Sequence, residues 1–167
     1  KKYGYSGVGF NWIMSALAFQ WSILLMAYFH MVHEGHFESI EVTVEMLIEG
    51  CFGAGACMIT LGAVLGKISP PQMFVVVFLE LIVYALNFYV GSLELGAVDM
   101  GGSMFVHTFG AYFGLAVAYV LSKQTNITKV TPKPEISDAS TSGDLLAIFG
   151  SIFLWILWPS FNGRSEE

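Results

Sequence analysis

Five apolar stretches of 17 to 21 residues follow one another along the chain, separated by polar segments. A helix of about 20 residues crosses the hydrocarbon core of a bilayer, which is about 30 Å thick. Backbone groups inside lipid have no water to bond, so each stretch has to be a regular helix. The pattern predicts an all-α polytopic membrane protein with about five transmembrane helices, at residues 8–28, 46–66, 72–90, 103–121 and 145–161.

The longest polar break in this pattern covers residues 122–143. It contains Pro132, Pro134 and many serines and threonines, a composition typical of a flexible linker. The fifth apolar stretch follows it, and this stretch is the shortest and contains Pro159 near its end.

Composition supports the membrane class and argues against others. Hydrophobic residues make up 55% of the chain and charged residues only 12%, about half the usual share of a soluble domain. Lysine and arginine together number 7 and the formal net charge is −6, which argues against a nucleic acid partner. The sequence has no nucleophile elbow, phosphate loop or catalytic carboxylate pair, so we expect no enzyme and no cofactor.

Positive charges indicate how the helices are oriented. If the five spans alternate, six lysines fall on one side, which the positive-inside rule makes the cytoplasm. The opposite side receives most of the carboxylates, including Glu34, Glu94 and Asp99. The N-glycosylation pattern that begins at Asn126 then lies in a cytoplasmic loop, and we expect it to be unmodified. The six lysines are Lys1, Lys2, Lys67, Lys123, Lys129 and Lys133.

His107 is an ionisable residue inside the fourth span, within the stretch DMGGSMFVHTFGAYFG. Such a residue is a functional candidate because polar groups are costly in hydrocarbon, although a plain hydrogen bond between helices is the alternative. At 100° per residue, the face centred on His107 carries the small residues Ser103, Ala111, Gly114 and Ala118. This stripe predicts that the histidine points into protein.

Asp99 precedes two glycines at the start of the same span. It lies eight residues before His107, about 12 Å along a helix, so the two side chains cannot touch. We expect its carboxylate to cap the helix by accepting free N–H groups. As a functional extension, its charge would also attract cations to the outer mouth.

Two further groups of polar residues leave alternatives open. His30, His33 and His36 have the spacing of a metal site for zinc or copper, but Gly35 interrupts the helix there, so an ordinary solvated loop is the competing interpretation. In the third span, Glu80 and Asn87 lie on nearly the same helical face. They serve either a transport pathway or an interhelical hydrogen bond.

The stretch VDMGGSMFVHTFGAYFGLAVAYVL closely resembles a span of the Rh glycoproteins, the animal branch of the ammonium transporter superfamily. The segments KKYGYSGVGFN, GAVLGKISPPQ and FLWILWPSFN resemble three further parts of that family, in the same order. The resemblance implies part of a fold of eleven or twelve spanning helices in the plasma membrane. Such subunits assemble as a homotrimer or an Rh-family hetero-oligomer with one pore per subunit, and the pore conducts ammonia after ammonium loses its proton.

The resemblance also implies roles for four residues. His107 matches the first of two pore histidines, and Asp99 matches the aspartate near the outer ammonium recruitment site. Phe52 and Phe161 match two stacked phenylalanines that form an outer gate. The helix of the second histidine is not within this sequence, and residues 163–167 depart from the family pattern. We therefore expect a partial Rh-type ammonium channel, or alternatively a truncated non-conducting Rh-like protein that acts as a membrane partner or structural subunit.

Overall fold

Five long helices make up most of the chain. The computed structural model describes residues 4–125 and 140–163. Each helix, with its π-helical extension where it has one, is long and apolar enough to cross a membrane. The predicted all-α class with five spans is therefore confirmed. The helices are α1 (Gly4–Glu34), α2 (Val44–Val64), α3 (Pro70–Phe88), α4 (Phe109–Thr125) and α5 (Thr141–Asn162), and α3 and α4 are extended by the first π segment (Tyr89–Glu94) and the second π segment (Ser103–Thr108).

The helices on either side of the linker predicted at residues 122–143 extend into its two ends. Helix α4 continues to Thr125 and α5 already begins at Thr141, so both ends of the predicted linker are helical. The reason at the second end is a helix cap, because the Ser140 hydroxyl accepts the Gly143 N–H at 3.2 Å. A serine followed by a short helical turn is a normal helix start. Residues 126–139, including Asn126, lie outside the described residues.

Helices α1 to α4 pack as a bundle, with α2 between α1 and α4 and with α3 against α1. Small residues permit the close approach of α4 to α2. A Cβ added at Gly110 would lie 2.7 Å from the Ala56 carbonyl oxygen, and one added at Gly114 would lie 2.9 Å from Ala63 Cβ. Such contacts replace the hydrophobic effect, which does not draw helices together in lipid.

A tryptophan fixes α1 against α3. The rings of Trp21 and Phe78 are stacked with centroids 4.5 Å apart, and Trp21 Nε1 donates to the Phe78 carbonyl oxygen at 3.1 Å. One side chain thus supplies both packing and a hydrogen bond, as tryptophan often does at such positions.

The acidic end of the bundle is the end that carries Glu34, Glu45, Glu94 and Asp99. There, His33 Nδ1 lies 3.3 Å from Glu94 Oε1, and the Tyr89 hydroxyl donates to the same oxygen at 2.7 Å. These contacts connect the end of α1 to the first π segment. Gly35 has φ +73°, a left-handed conformation that ends α1 where the sequence predicted an interruption.

Helix α5 stands apart from the bundle. None of the 18 residues in its most apolar stretch is buried. It reaches the other helices through rings near its C-terminal end, at the level of Phe52 and His107. The last turn of α5 therefore completes the candidate site.

Candidate functional site

Three parts of the chain bring a histidine and three aromatic rings together. Phe52 comes from α2, His107 from the second π segment, and Trp158 and Phe161 from α5. The Phe52 and Phe161 centroids are 5.4 Å apart with the rings at 88°, so the two rings meet edge to face and are not stacked. The His107 ring lies 6.4 Å from Phe161 and 6.0 Å from Trp158. We call these four residues the aromatic–histidine cluster.

Sequence reasoning named three of the four members and missed Trp158. Its position three residues before Phe161 was the available signal, because residues three apart share a helix face. The two rings are indeed stacked, at 5.4 Å and 29°.

The face predicted for His107 is divided in the structure. The His107 ring lies next to the Trp158 and Phe161 rings of α5 and is otherwise exposed among the described residues, whereas Gly110 and Gly114 make the close contact with α2. The physical reason is the second π segment, in which the His107 N–H donates to the Gly102 carbonyl five residues earlier. This wider turn shifts every later residue relative to the α-helical count of 100° per residue.

Asp99 has the geometry of a helix cap. Its Oδ2 accepts the backbone N–H groups of Met104 at 2.7 Å and Phe105 at 2.8 Å, and its Oδ1 accepts the Ser103 hydroxyl at 2.7 Å. Burial raises the pKa of this carboxyl, but hydrogen bonds from Phe105, Ser103 and Met104 outweigh burial and place the pKa below its usual value. The group is therefore charged at neutral pH.

An acidic cavity of about 870 Å³ opens at the acidic end. No lysine or arginine among the described residues lines it, so its field attracts cations. Phe52 borders this cavity, whereas His107 does not. Phe52 thus connects the cavity, through its contact with Phe161, to the histidine. The carboxylates in the lining are Glu34, Glu38, Glu41, Glu45, Glu49 and Asp99.

The three histidines of the acidic end do not form a common site. His30 lies 3.6 Å from Glu34, and His33 lies 3.3 Å from Glu94. In residues 4–125 and 140–163 no three side chains of histidine, cysteine, aspartate or glutamate are grouped as metal ligands. The metal hypothesis therefore gains no support from the geometry.

The other polar pair of the sequence is split. Glu80 is fully buried between helices, whereas Asn87 is exposed. Glu80 therefore makes the interhelical contact that was one of the two alternatives, because the Thr60 hydroxyl of α2 lies 2.5 Å from its Oε1.

Five apolar helices of membrane length define a multi-span membrane protein. Comparison with known proteins gives the family. The model of the Ammonium Transporter Family matches residues 1–167, so the chain belongs to the ammonium transporter family.

Relatives place the chain on the Rh side of this family, as its motifs predicted. It is 44% identical to "Ammonium transporter Rh type B" of Danio rerio, across 100% of this chain and 35% of that protein. It is 43% identical to "Rhesus-like glycoprotein B" of Dictyostelium discoideum, across 97% of this chain and 27% of that protein. It is also 44% identical to "Ammonium transporter Rh type B" of Sus scrofa, across 97% of this chain and 34% of that protein. The chain thus spans about a third or less of the length of these relatives.

Proposed function

We propose that this chain supplies the outer half of an ammonia-conducting path, from a cation-collecting cavity to a pore histidine. The observation that carries the proposal is a set of contacts that joins the cavity to the histidine. Phe52 lines the acidic cavity and meets Phe161 edge to face, and Phe161 lies next to His107.

The acidic cavity is the proposed collection site for ammonium. Asp99 is charged at neutral pH because its hydrogen bonds lower its pKa, and five glutamates line the same space. Since the Asp99 oxygens already accept three hydrogen bonds, we propose that Asp99 acts through its charge. It would concentrate cations at the acidic end without binding them directly.

Beyond the phenylalanine gate, the proposed path suits a neutral molecule. A full charge in hydrocarbon costs at least about 2.5–3.5 kcal/mol, so ammonium would lose its proton before passing the rings. Ammonia then needs only a hydrogen-bonding partner, which an imidazole provides and a phenyl ring does not. The His107 ring contacts Trp158 and Phe161 but makes no hydrogen bond to any described residue.

The orientation and assembly expected from the sequence are part of this proposal. We propose that the acidic end faces outward and that Lys67 and Lys123 face the cytoplasm, because the positive-inside rule favours that arrangement. We also propose a plasma membrane location and a homotrimer or Rh-family hetero-oligomer, which are what the resemblance to the Rh glycoproteins implies.

Transport by the intact protein that contains this chain tests the proposal. In reconstituted vesicles, an ammonia gradient should change the internal pH, and His107→Phe should slow that change severalfold because it removes a hydrogen-bonding group. Tyr112→Phe is the control, since Tyr112 is exposed on the same helix and outside the aromatic–histidine cluster. Equal rates for His107→Phe and Tyr112→Phe would reject the pore role of the histidine.

A further inference from the structure

Glu80 is a carboxyl group buried at the junction of three helices. It lies in α3 and is 0% exposed, as is Thr60 of α2. The Thr60 oxygen, Oγ1, is 2.5 Å from Glu80 Oε1 and 3.0 Å from the carbonyl oxygen of Gly110 in α4. Both distances are hydrogen-bond distances. One hydroxyl therefore connects α2, α3 and α4.

Counting protons decides the state of Glu80. The Gly110 carbonyl only accepts, and the Thr60 hydroxyl has a single hydrogen to donate. If that hydrogen goes to an ionised Glu80, the contact with Gly110 has no proton, and if it goes to Gly110, the contact with Glu80 has none. A protonated Glu80 satisfies both contacts, because it donates to Thr60 and Thr60 donates to Gly110.

The surroundings of Glu80 agree with a neutral carboxyl. Its second oxygen, Oε2, is buried and has no hydrogen-bond partner within residues 4–125 and 140–163. The titratable groups near it are the Cys57 thiol of α2 and Tyr84, one turn later in α3. No lysine, arginine or histidine of the described chain pairs with it. An unpaired charge would be far more costly there than an unpaired carbonyl oxygen.

We propose that Glu80 carries a proton at neutral pH and that this proton closes a hydrogen-bond chain, Glu80 to Thr60 to Gly110, which fixes the start of α4. Gly110 lies three residues after His107, so the chain positions the histidine. Glu80 is thus a positioning residue, not a pore-lining one, and this last step rests on the proposed role of His107.

Infrared spectroscopy of the intact protein tests the proton directly. The wild-type spectrum minus that of Glu80→Gln should contain the C=O stretching band of a protonated carboxylic acid. The band reports protonation whether or not the protein transports ammonia. A difference spectrum that instead contains only carboxylate bands would overturn the proposal.

Transport variants test the positioning role. Glu80→Gln keeps a neutral donor for Thr60 and should retain the ammonia-driven pH change, and Thr60→Ser should retain it because the hydroxyl stays. Thr60→Val removes the hydroxyl and should slow transport about tenfold, the effect of losing one buried hydrogen bond. Loss of transport in Glu80→Gln equal to that in Glu80→Ala would show that the charge is required and would refute the neutral chain.

The two proposals fail separately. If His107→Phe leaves transport unchanged, the pore role of His107 is rejected, but the infrared band of Glu80 still tests its protonation. If the infrared band is absent, the protonated Glu80 is rejected, but the transport rate of His107→Phe still tests the pore role.

Discussion

The contact between α4 and α2 at Gly110 is close enough to predict the effect of one added methyl group. A Cβ at this position would lie 2.7 Å from the Ala56 carbonyl oxygen, 3.1 Å from Ile59 Cβ and 3.3 Å from Ile59 Cγ2. Ordinary contact begins at 3.4 Å, so α4 has to move away by about 0.7 Å in Gly110→Ala. Overpacking of this size costs about 1–3 kcal/mol because the nearest obstacle is backbone, which cannot rotate aside.

Gly62→Ala is the matched control for this change. Gly62 lies in α2, and a Cβ there would meet nothing within 4 Å. Both variants gain the same helix propensity, up to about 1 kcal/mol, so their difference isolates the strain at Gly110. The free energy of unfolding of the intact protein in mixed detergent micelles, followed by circular dichroism, measures that difference.

We expect Gly110→Ala to be less stable than Gly62→Ala by about 1–3 kcal/mol. Its ammonia-driven pH change in vesicles should also slow, since the same movement lengthens the 3.0 Å contact between Thr60 and Gly110. Equal unfolding free energies for the two variants would refute the reasoning, because the close approach of α4 to α2 would then carry no energetic weight.

Two further predictions concern other fixed points of the bundle. Trp21→Phe should keep the ring packing on Phe78 but lose the 3.1 Å hydrogen bond to the Phe78 carbonyl. The free energy of unfolding should therefore fall by about 0.5–1.5 kcal/mol in the same micelle assay. An unchanged free energy of unfolding would show that this hydrogen bond does not stabilise the bundle. Asp99→Ala should cost about 1–2 kcal/mol at neutral pH through loss of the cap. Because hydrogen bonds place the pKa of Asp99 below 3.8 in the folded protein, its contribution is complete above that pH and disappears as the pH falls through the lower folded value. The gap between wild type and Asp99→Ala should therefore close in strong acid, and a gap that persists there would contradict this account.

The five helices could be predicted from the sequence because lipid leaves an apolar stretch of this length almost no alternative to a helix. The ends of the helices were predicted less accurately, since the sequence pattern assigned Ser140 to the linker, whereas Ser140 caps α5. The direction of His107 could not be predicted by counting 100° per residue, because no residue type announces a π-helical turn. The meeting of Phe52 with Phe161 was accessible only through resemblance, since 109 positions separate them in the sequence.

Contacts on both sides of the second π segment hold the backbone around His107. On one side, Asp99 binds the N–H groups of Met104 and Phe105, and on the other, Gly110 is in contact with Thr60. The backbone of His107 is therefore held from both directions, while its ring lies next to the Trp158 and Phe161 rings of α5. The proposed pore role of His107 benefits from this combination, because a rigid backbone keeps the imidazole in place without using its nitrogens. The proposed proton of Glu80 completes the contact between Thr60 and Gly110, which holds the backbone on the C-terminal side of His107. This role accounts for a buried carboxyl group inside a membrane-spanning helix.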